Sequence, residues 1–195
     1  MRIDYLFPVL GYLLGSVSSA IVLARLMGLK DPRLTGSGNP GATNILRYGG
    51  KTLAALTLLG DVLKGVVPVV IARALTDEPL VLALTAFGAF LGHLYPVFFR
   101  FQGGKGVATA FGVLLALSPW LGLALVATWA FVALISRYSS LSALLAALLA
   151  PFYAWWLLPG WPYLLVTTAI AALLIWRHRG NIQRLLAGQE AKIGR

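Results

Sequence analysis

The chain contains no cysteine among its 195 residues, and only two histidines and six acidic residues. Without cysteine there is no disulfide and no thiolate metal site. Two distant histidines and scattered carboxylates make a poor ligand set for any metal centre. Charge of either sign is scarce: Asp, Glu, Lys and Arg form 11% of the sequence against 59% hydrophobic residues, too little polar surface to cover a soluble globule of this size. The composition is that of an integral membrane protein. A net charge of +10 would suggest nucleic acid in a soluble chain. Here the basic residues sit in short segments between apolar runs, which is a membrane topology signal, so membrane lipid and not nucleic acid is the expected surrounding.

The apolar runs cover residues 5–24, 53–75, 80–99, 107–117, 120–135, 141–158 and 161–176. They predict an all-α integral membrane protein with seven transmembrane helices in one multi-pass domain, residues 1–195, with the N-terminus outside and the C-terminus cytoplasmic. On that count thirteen of the sixteen Lys and Arg residues, from Arg25 to Arg195, fall on one side, Arg2 and Arg73 fall on the other, and Lys64 lies within a span. The rich side is cytoplasmic by the positive-inside rule. Arg2 and Asp4 cancel before the first run and Arg25, Lys30 and Arg33 follow it, the wrong order for a signal peptide despite Ser18-Ser19-Ala20. Tyr95-Pro96 is expected to kink the end of the third span. The fourth run reaches only about 18 Å at helical rise, short for a crossing. Asp61 and Lys64 share a helix face and are expected to pair, turned to protein or water rather than lipid. Trp120, Trp161 and Tyr163 suit an outer aromatic belt.

The longest polar stretch runs from Gly36 to Arg47, with Lys51 just beyond. Glycines 36, 38 and 41 permit tight turns, and Asn39-Pro40 predicts an N-cap followed by proline at the first helical position, so that N–H groups converge on an anion. Arg47 adds a fork suited to phosphate. On this segment alone a plain cytoplasmic turn explains the residues equally well. Two more segments of similar character, Gln102–Gly106 and Arg177–Glu190, emerge on the same side. Together they offer Ser37, Arg47, Lys105, His178, Arg179 and Asn181, with helix N-termini near Asn39 and Gly106: an anion-binding constellation for phosphate rather than for a metal. A surface that attracts anionic headgroups is the alternative, but it needs Lys and Arg without repeated Gly and Asn.

Several nucleotide and acyltransferase signatures are excluded. Gly36-Ser37-Gly38-Asn39-Pro40-Gly41 matches a dinucleotide fingerprint literally, but no strand precedes it and Asp61 lies inside an apolar helix. Gln102–Gly106 is no Walker loop, because Phe99 stands where the first glycine belongs and Gly106 where a Ser or Thr would hold magnesium. No His-x4-Asp pair exists: the fifth residue after His93 is Phe98 and after His178 is Gln183. If the reaction is acyl transfer, it requires an activated donor whose leaving group needs no strong acid, or a base supplied by substrate; a phosphate leaving group satisfies both. His178 is a candidate base or donor, or else only an interfacial hydrogen-bonder. His93, beside Gly92 and Tyr95, reads as a helix-packing hydrogen-bonder. A transporter of organic phosphates would show an internal repeat and more midplane polarity than Asp61-Lys64 alone. A lipid-recruiting scaffold would tolerate Lys105→Arg and any change at Asn181.

The three segments resemble those of the bacterial acyl-phosphate-dependent glycerol-3-phosphate acyltransferases. The resemblance is carried by Gly36-Ser37-Gly38-Asn39 with Gly41-Ala42-Thr43-Asn44 and Arg47; by Gly92-His93, Tyr95-Pro96-Val97-Phe98 and Gly103-Gly104-Lys105-Gly106-Val107-Ala108-Thr109; and by Arg177-His178-Arg179, Asn181-Ile182 and Glu190. It implies a seven-helix fold in the bacterial inner membrane, with a cytoplasmic active site that acylates the 1-hydroxyl of glycerol 3-phosphate from acyl phosphate, without a cofactor, and with the soluble enzyme that supplies acyl phosphate as a partner. By position it makes Ser37, Arg47, Lys105, His178 and Asn181 catalytic, Gly36, Gly38, Asn39, Asn44, Gly103, Gly104 and Gly106 substrate-binding, and Glu190 structural. Where relatives can place a carboxylate late in the first helix, this chain has Ser18, Ser19 and Ala20.

Overall fold

The computed structural model describes residues 3–194. Arg2 and Arg195, both used in the charge count above, lie outside the described residues. Ten α-helices form among them: α1 Leu6–Gly15, α2 Ser19–Leu26, α3 Ala42–Tyr48, α4 Gly50–Leu75, α5 Pro79–Leu94, α6 Val107–Leu117, α7 Pro119–Ser136, α8 Ser139–Leu157, α9 Trp161–Arg177 and α10 Arg179–Leu186. Four helices, or five if the α1–α2 pair is one span, are long and apolar enough to cross a membrane, and α6 and α9 are shorter apolar helices. Every apolar run of the sequence is thus helical. A multi-pass membrane protein is what this arrangement makes.

Three boundaries differ from expectation. The first run is broken, with α1 and α2 bent by 41°. Ser16 Oγ donates back to Tyr12 O at 2.7 Å, a local bond that competes with helix continuation, and Lys64 Nζ donates to the carbonyl of Val17 in the break at 2.9 Å. The third run is not kinked but ended: α5 stops at Leu94, Tyr95 leaves helical geometry ahead of Pro96, and a 3₁₀ turn follows over Val97–Phe99. Asn39-Pro40 does not start a helix; α3 begins at Ala42 with Gly41 as its N-cap. At seven residues α3 is too short to offer an N-terminal anion site of its own.

Helix packing follows from small residues. Gly11 and Gly15 of α1 meet Thr85 and Ala89 of α5, while Gly88 and Gly92 of α5 meet Pro8, Tyr12 and Ser16, so that a Cβ at any of these glycines would overlap the opposing backbone. This is small-xxx-small packing on both partners, suited to an environment where burial alone does not drive helices together. The main core lies where α4, α5, α6, α8 and α9 converge, around Val69, Phe90, Leu94, Val113, Leu114 and Ile170. The outer surface stays apolar, with Trp120, Phe131, Trp155 and Trp161 all more than half exposed. Tyr163 is buried instead of standing in an aromatic belt.

The polar groups sort to two ends of the bundle. Arg73 caps the C-terminus of α6 by donating to Ala116 O and Leu117 O, both at 3.0 Å, and Asp77 and Glu78 belong to this end. The segments between α2 and α4, between α5 and α6, and after α9 are tied together at the other. The Asp61–Lys64 pair is formed at 2.8 Å with side chains 4% and 7% exposed, turned inward as expected.

Candidate anion site

Each loop at this end has its own anchor. In the first, Gly36 and Gly38 adopt φ of +55° and +68°, the left-handed region in which a side chain is strained. Asn44, 1% exposed, holds the turn from inside: its Oδ1 accepts from Ser37 N at 2.9 Å and its Nδ2 donates to Pro32 O and Thr35 O, each at 3.0 Å. Asn44 therefore shapes the loop and has no surface left for a substrate, a correction to its expected role. Ser37 is exposed, with no side-chain partner, and Arg47 is likewise exposed on α3 with its guanidinium unengaged. Asn44→Ala would leave Ser37 N and Pro32 O without partners, Thr35 O keeping Gly38 N, and is expected to cost about 1–3 kcal/mol of stability, read as a lowered Tm in detergent.

The second loop is built on consecutive left-handed residues, Arg100 and Phe101, followed by Gly106 at φ +86°, which leads into α6. Arg33 Nη1 donates to Phe99 O at 3.1 Å, docking the first loop on the second; the Asp31 carboxylate grips the same guanidinium at 2.7 Å. Arg177, at the end of α9, donates to Gly103 O at 2.9 Å and to Gly104 O at 2.9 and 3.1 Å. Gly104 N donates to His93 O at 3.2 Å. With its carbonyls turned toward Arg177, the loop keeps the N–H groups of Gly103, Lys105 and Gly106 without protein acceptors among the described residues. Those N–H groups and the N-terminus of α6 favour an anion.

The third segment holds the cation of the second. Lys105 Nζ donates to Asn181 Oδ1. Asn181 Nδ2 donates to Glu190 Oε1 at 2.6 Å, Ser140 Oγ donates to the same oxygen at 2.7 Å, and Arg184 Nε donates to Oε2 at 2.7 Å. Glu190 thus ties α8, α10 and the tail together. Burial alone would push its carboxyl up, but these three donors hold it below the usual range. Burial, then repulsion from Arg184, Arg177 and Arg47 against the attraction of Glu190, brings the Lys105 ammonium down to about 8. Arg47 exerts the weakest of these repulsions, and the three loops are tied directly by Arg33 to Phe99 O, Arg177 to Gly103 O and Lys105 to Asn181. His178 Nδ1 lies 2.8 Å from Leu174 O, which makes Nδ1 the donor and leaves Nε2 as a lone pair; burial chiefly brings this ring down to about 4. Arg179 instead stacks over Trp176 at 4.7 Å. Among the described residues no three His, Asp or Glu side chains gather as metal ligands would.

Arg177, Ser140 and Thr109 were not singled out as site residues from sequence. Arg177, next to His178, and Thr109, at the end of the glycine motif, lie within the quoted motifs; Ser140 does not.

A helical membrane protein whose loops bring cations and unpaired N–H groups together at one end is one with a place for an anion at that end. The profile of the glycerol-3-phosphate acyltransferase family matches residues 5–188, and the chain belongs to that family. A relative from Thioalkalivibrio sulfidiphilus, named glycerol-3-phosphate acyltransferase, is 60% identical over 94% of this chain and 90% of its own. One of the same name from Thiobacillus denitrificans is 59% identical over 99% and 98%. Crystal structures of PlsY, an integral membrane glycerol 3-phosphate acyltransferase, match with a TM-score of 0.93 for the glycerol 3-phosphate form and 0.90 for the lysophosphatidic acid form. The first shares 42% identity and covers 98% of this chain and 96% of that one.

Proposed function

We propose that this protein transfers a fatty acyl group from acyl phosphate to the 1-hydroxyl of glycerol 3-phosphate, giving lysophosphatidic acid and inorganic phosphate. One observation carries the reading: Lys105 joins Asn181 in a cluster that also gathers Arg47, Arg177 and the unpaired N–H groups of the glycine loop. Two substrates, each bearing a phosphate, need two adjoining anion sites, and this cluster supplies them. Relatives solved in glycerol 3-phosphate and lysophosphatidic acid forms support the acceptor and the product.

In this scheme the Lys105 ammonium and the free N–H groups of Gly103, Lys105 and Gly106 hold the phosphate of glycerol 3-phosphate, Gly104 serving only to shape the loop because its N–H is spent on His93 O, and Arg47 with the Gly36–Asn39 turn holds the phosphate of the donor. Ser37 and His178 Nε2 orient the reacting carbonyl and hydroxyl, while Asn181, whose amide is spent on Lys105 and Glu190, positions the Lys105 ammonium. The acceptor oxygen attacks the acyl carbon, the bond from that carbon to the phosphate oxygen breaks, and the hydroxyl proton leaves with the departing phosphate. No protein base is then required. The cavity among α6, α8 and α9 is about 20 Å³, space for one water. The acyl chain accordingly lies along the outer apolar helix surface.

The chain crosses the bacterial inner membrane seven times as one domain, N-terminus outside, with this end cytoplasmic beside the soluble enzyme that supplies acyl phosphate. Purified protein in lipid is expected to form lysophosphatidic acid and release phosphate from palmitoyl phosphate and to give no product from palmitoyl-CoA. Product from palmitoyl-CoA alone would overturn the donor assignment.

The pH profile has a defined shape. His178 is neutral throughout the range near pH 7, so kcat/KM has no inflection of its own near 6.5. The Lys105 ammonium loses its proton above about pH 8. Since the cation is the active form, kcat/KM bends downward below pH 8, is about halved near pH 8 and approaches a roughly tenfold fall per unit well above it.

A further inference from the structure

Beneath the glycine loop lies a buried polar cluster that the reaction scheme does not use: Asp61 and Lys64 of α4, His93 of α5 and Thr109 of α6. Thr109 Oγ1 is 2.9 Å from the main-chain oxygen of Asp61 and 3.2 Å from His93 Nδ1. A hydroxyl has one proton, and a carbonyl at 2.9 Å can only accept it. Toward the ring, Thr109 is therefore the acceptor and His93 Nδ1 the donor. Asp61 Oδ1, 3.8 Å from the same nitrogen, favours a proton there as well. Lys64 closes the cluster on its far side by pairing with Asp61 at 2.8 Å and donating to Val17 O in the α1–α2 break at 2.9 Å.

With Nδ1 so engaged, Nε2 is the ring atom that faces the loop. A Cβ built on Gly104 would fall on Nε2, and one built on Gly103 would fall on the His93 carbonyl oxygen, the same oxygen that accepts from Gly104 N. Gly103 and Gly104 thus lie directly on His93, ring and backbone, while Arg177 draws their carbonyls to the opposite side. The loop is clamped between the two.

We infer that His93 is a positioning residue for glycerol 3-phosphate: held by Thr109 and the Asp61–Lys64 pair, it sets the height and orientation of the Gly103–Gly106 loop, and hence of the N–H groups that receive the phosphate. This rests on the reading that the loop binds the acceptor's phosphate. The ring does not touch the reacting atoms, so its loss weakens acceptor binding and leaves the chemical step largely intact.

The test is steady-state kinetics of the full chain in lipid, varying glycerol 3-phosphate and palmitoyl phosphate separately, for Thr109→Val, His93→Leu and His93→Asn. Thr109→Val is isosteric and removes only the hydroxyl that orients the ring; His93→Asn restores a donor near the Nδ1 position. The expected result is a rise of about tenfold to a hundredfold in KM for glycerol 3-phosphate in the first two variants. KM for palmitoyl phosphate is unchanged, kcat stays within a few fold, and the asparagine variant is intermediate. A merely structural role would lower the active fraction and Tm without moving either KM. Unchanged KM for glycerol 3-phosphate in Thr109→Val, or an equal rise in both KM values, overturns the inference. If His93→Leu fails to fold, Thr109→Val decides. Lys105→Ala run in parallel separates the two levels: if it too leaves KM for glycerol 3-phosphate unchanged, the loop's assignment to that phosphate has failed, not only the role of His93.

Discussion

Lys105→Ala is expected to lower kcat/KM for lysophosphatidic acid formation by about 10²–10³-fold, the usual consequence of deleting one preorganised electrostatic donor. Lys105 is the cation that the rest of the cluster is arranged to hold. Asn181 accepts from its ammonium, Glu190 holds Asn181, and Ser140 and Arg184 hold Glu190. An ammonium brought down to about 8 by burial and by neighbouring cations is short of anionic partners, and a bound phosphate supplies one. The alanine variant loses that attraction and leaves Asn181 Oδ1 without its donor. The check is initial rates at saturating palmitoyl phosphate with glycerol 3-phosphate varied. An intact rate would remove Lys105 from the site.

Arg177→Ala carries the second large effect. Three hydrogen bonds from one guanidinium to the carbonyls of Gly103 and Gly104 are lost together, and with them the cation over the Tyr95 ring at 5.8 Å. Without that anchor the carbonyls can turn inward toward the phosphate, which reverses the local dipoles. A loss of about 10²-fold in kcat/KM follows, since misplacement of a binding group by about 1 Å has that cost. Arg177→Lys recovers little, because an ammonium cannot serve two carbonyls in one plane as the fork does. Kinetics of both variants, with Tm measured alongside, separates loop misplacement from unfolding.

Most of the helices could be read directly from the apolar runs, because a lipid-facing helix must be apolar over its whole length; the bounds of α7, α8 and α9 fall within about two residues of expectation. The glycine loop and the cationic segments were legible for the opposite reason, as polar interruptions that repeat Gly and Asn beside cations, which neither a topology signal nor headgroup attraction requires. What stayed hidden depends on contacts between distant residues. Asn44 looked like a ligand because it stands among ligand-like residues, and only the folded turn reveals that its amide is spent on Pro32, Thr35 and Ser37. The α1–α2 break over residues 16–18 contains neither proline nor glycine; beside the local Ser16 back-bond, its Val17 carbonyl is met by Lys64, forty-seven residues away. No histidine–carboxylate pair was readable locally, yet folding brings Asp61 to His93 from another helix.

The account stands or falls on direct transfer between two substrates held by their phosphates, with Ser37 as an orienting hydroxyl and not a nucleophile. The most direct test is intact-protein mass spectrometry of wild-type enzyme quenched during turnover with palmitoyl phosphate, with and without glycerol 3-phosphate. Direct transfer predicts an unmodified chain in both samples. A palmitoyl adduct on Ser37 that accumulates without the acceptor and disappears when glycerol 3-phosphate is added would contradict it.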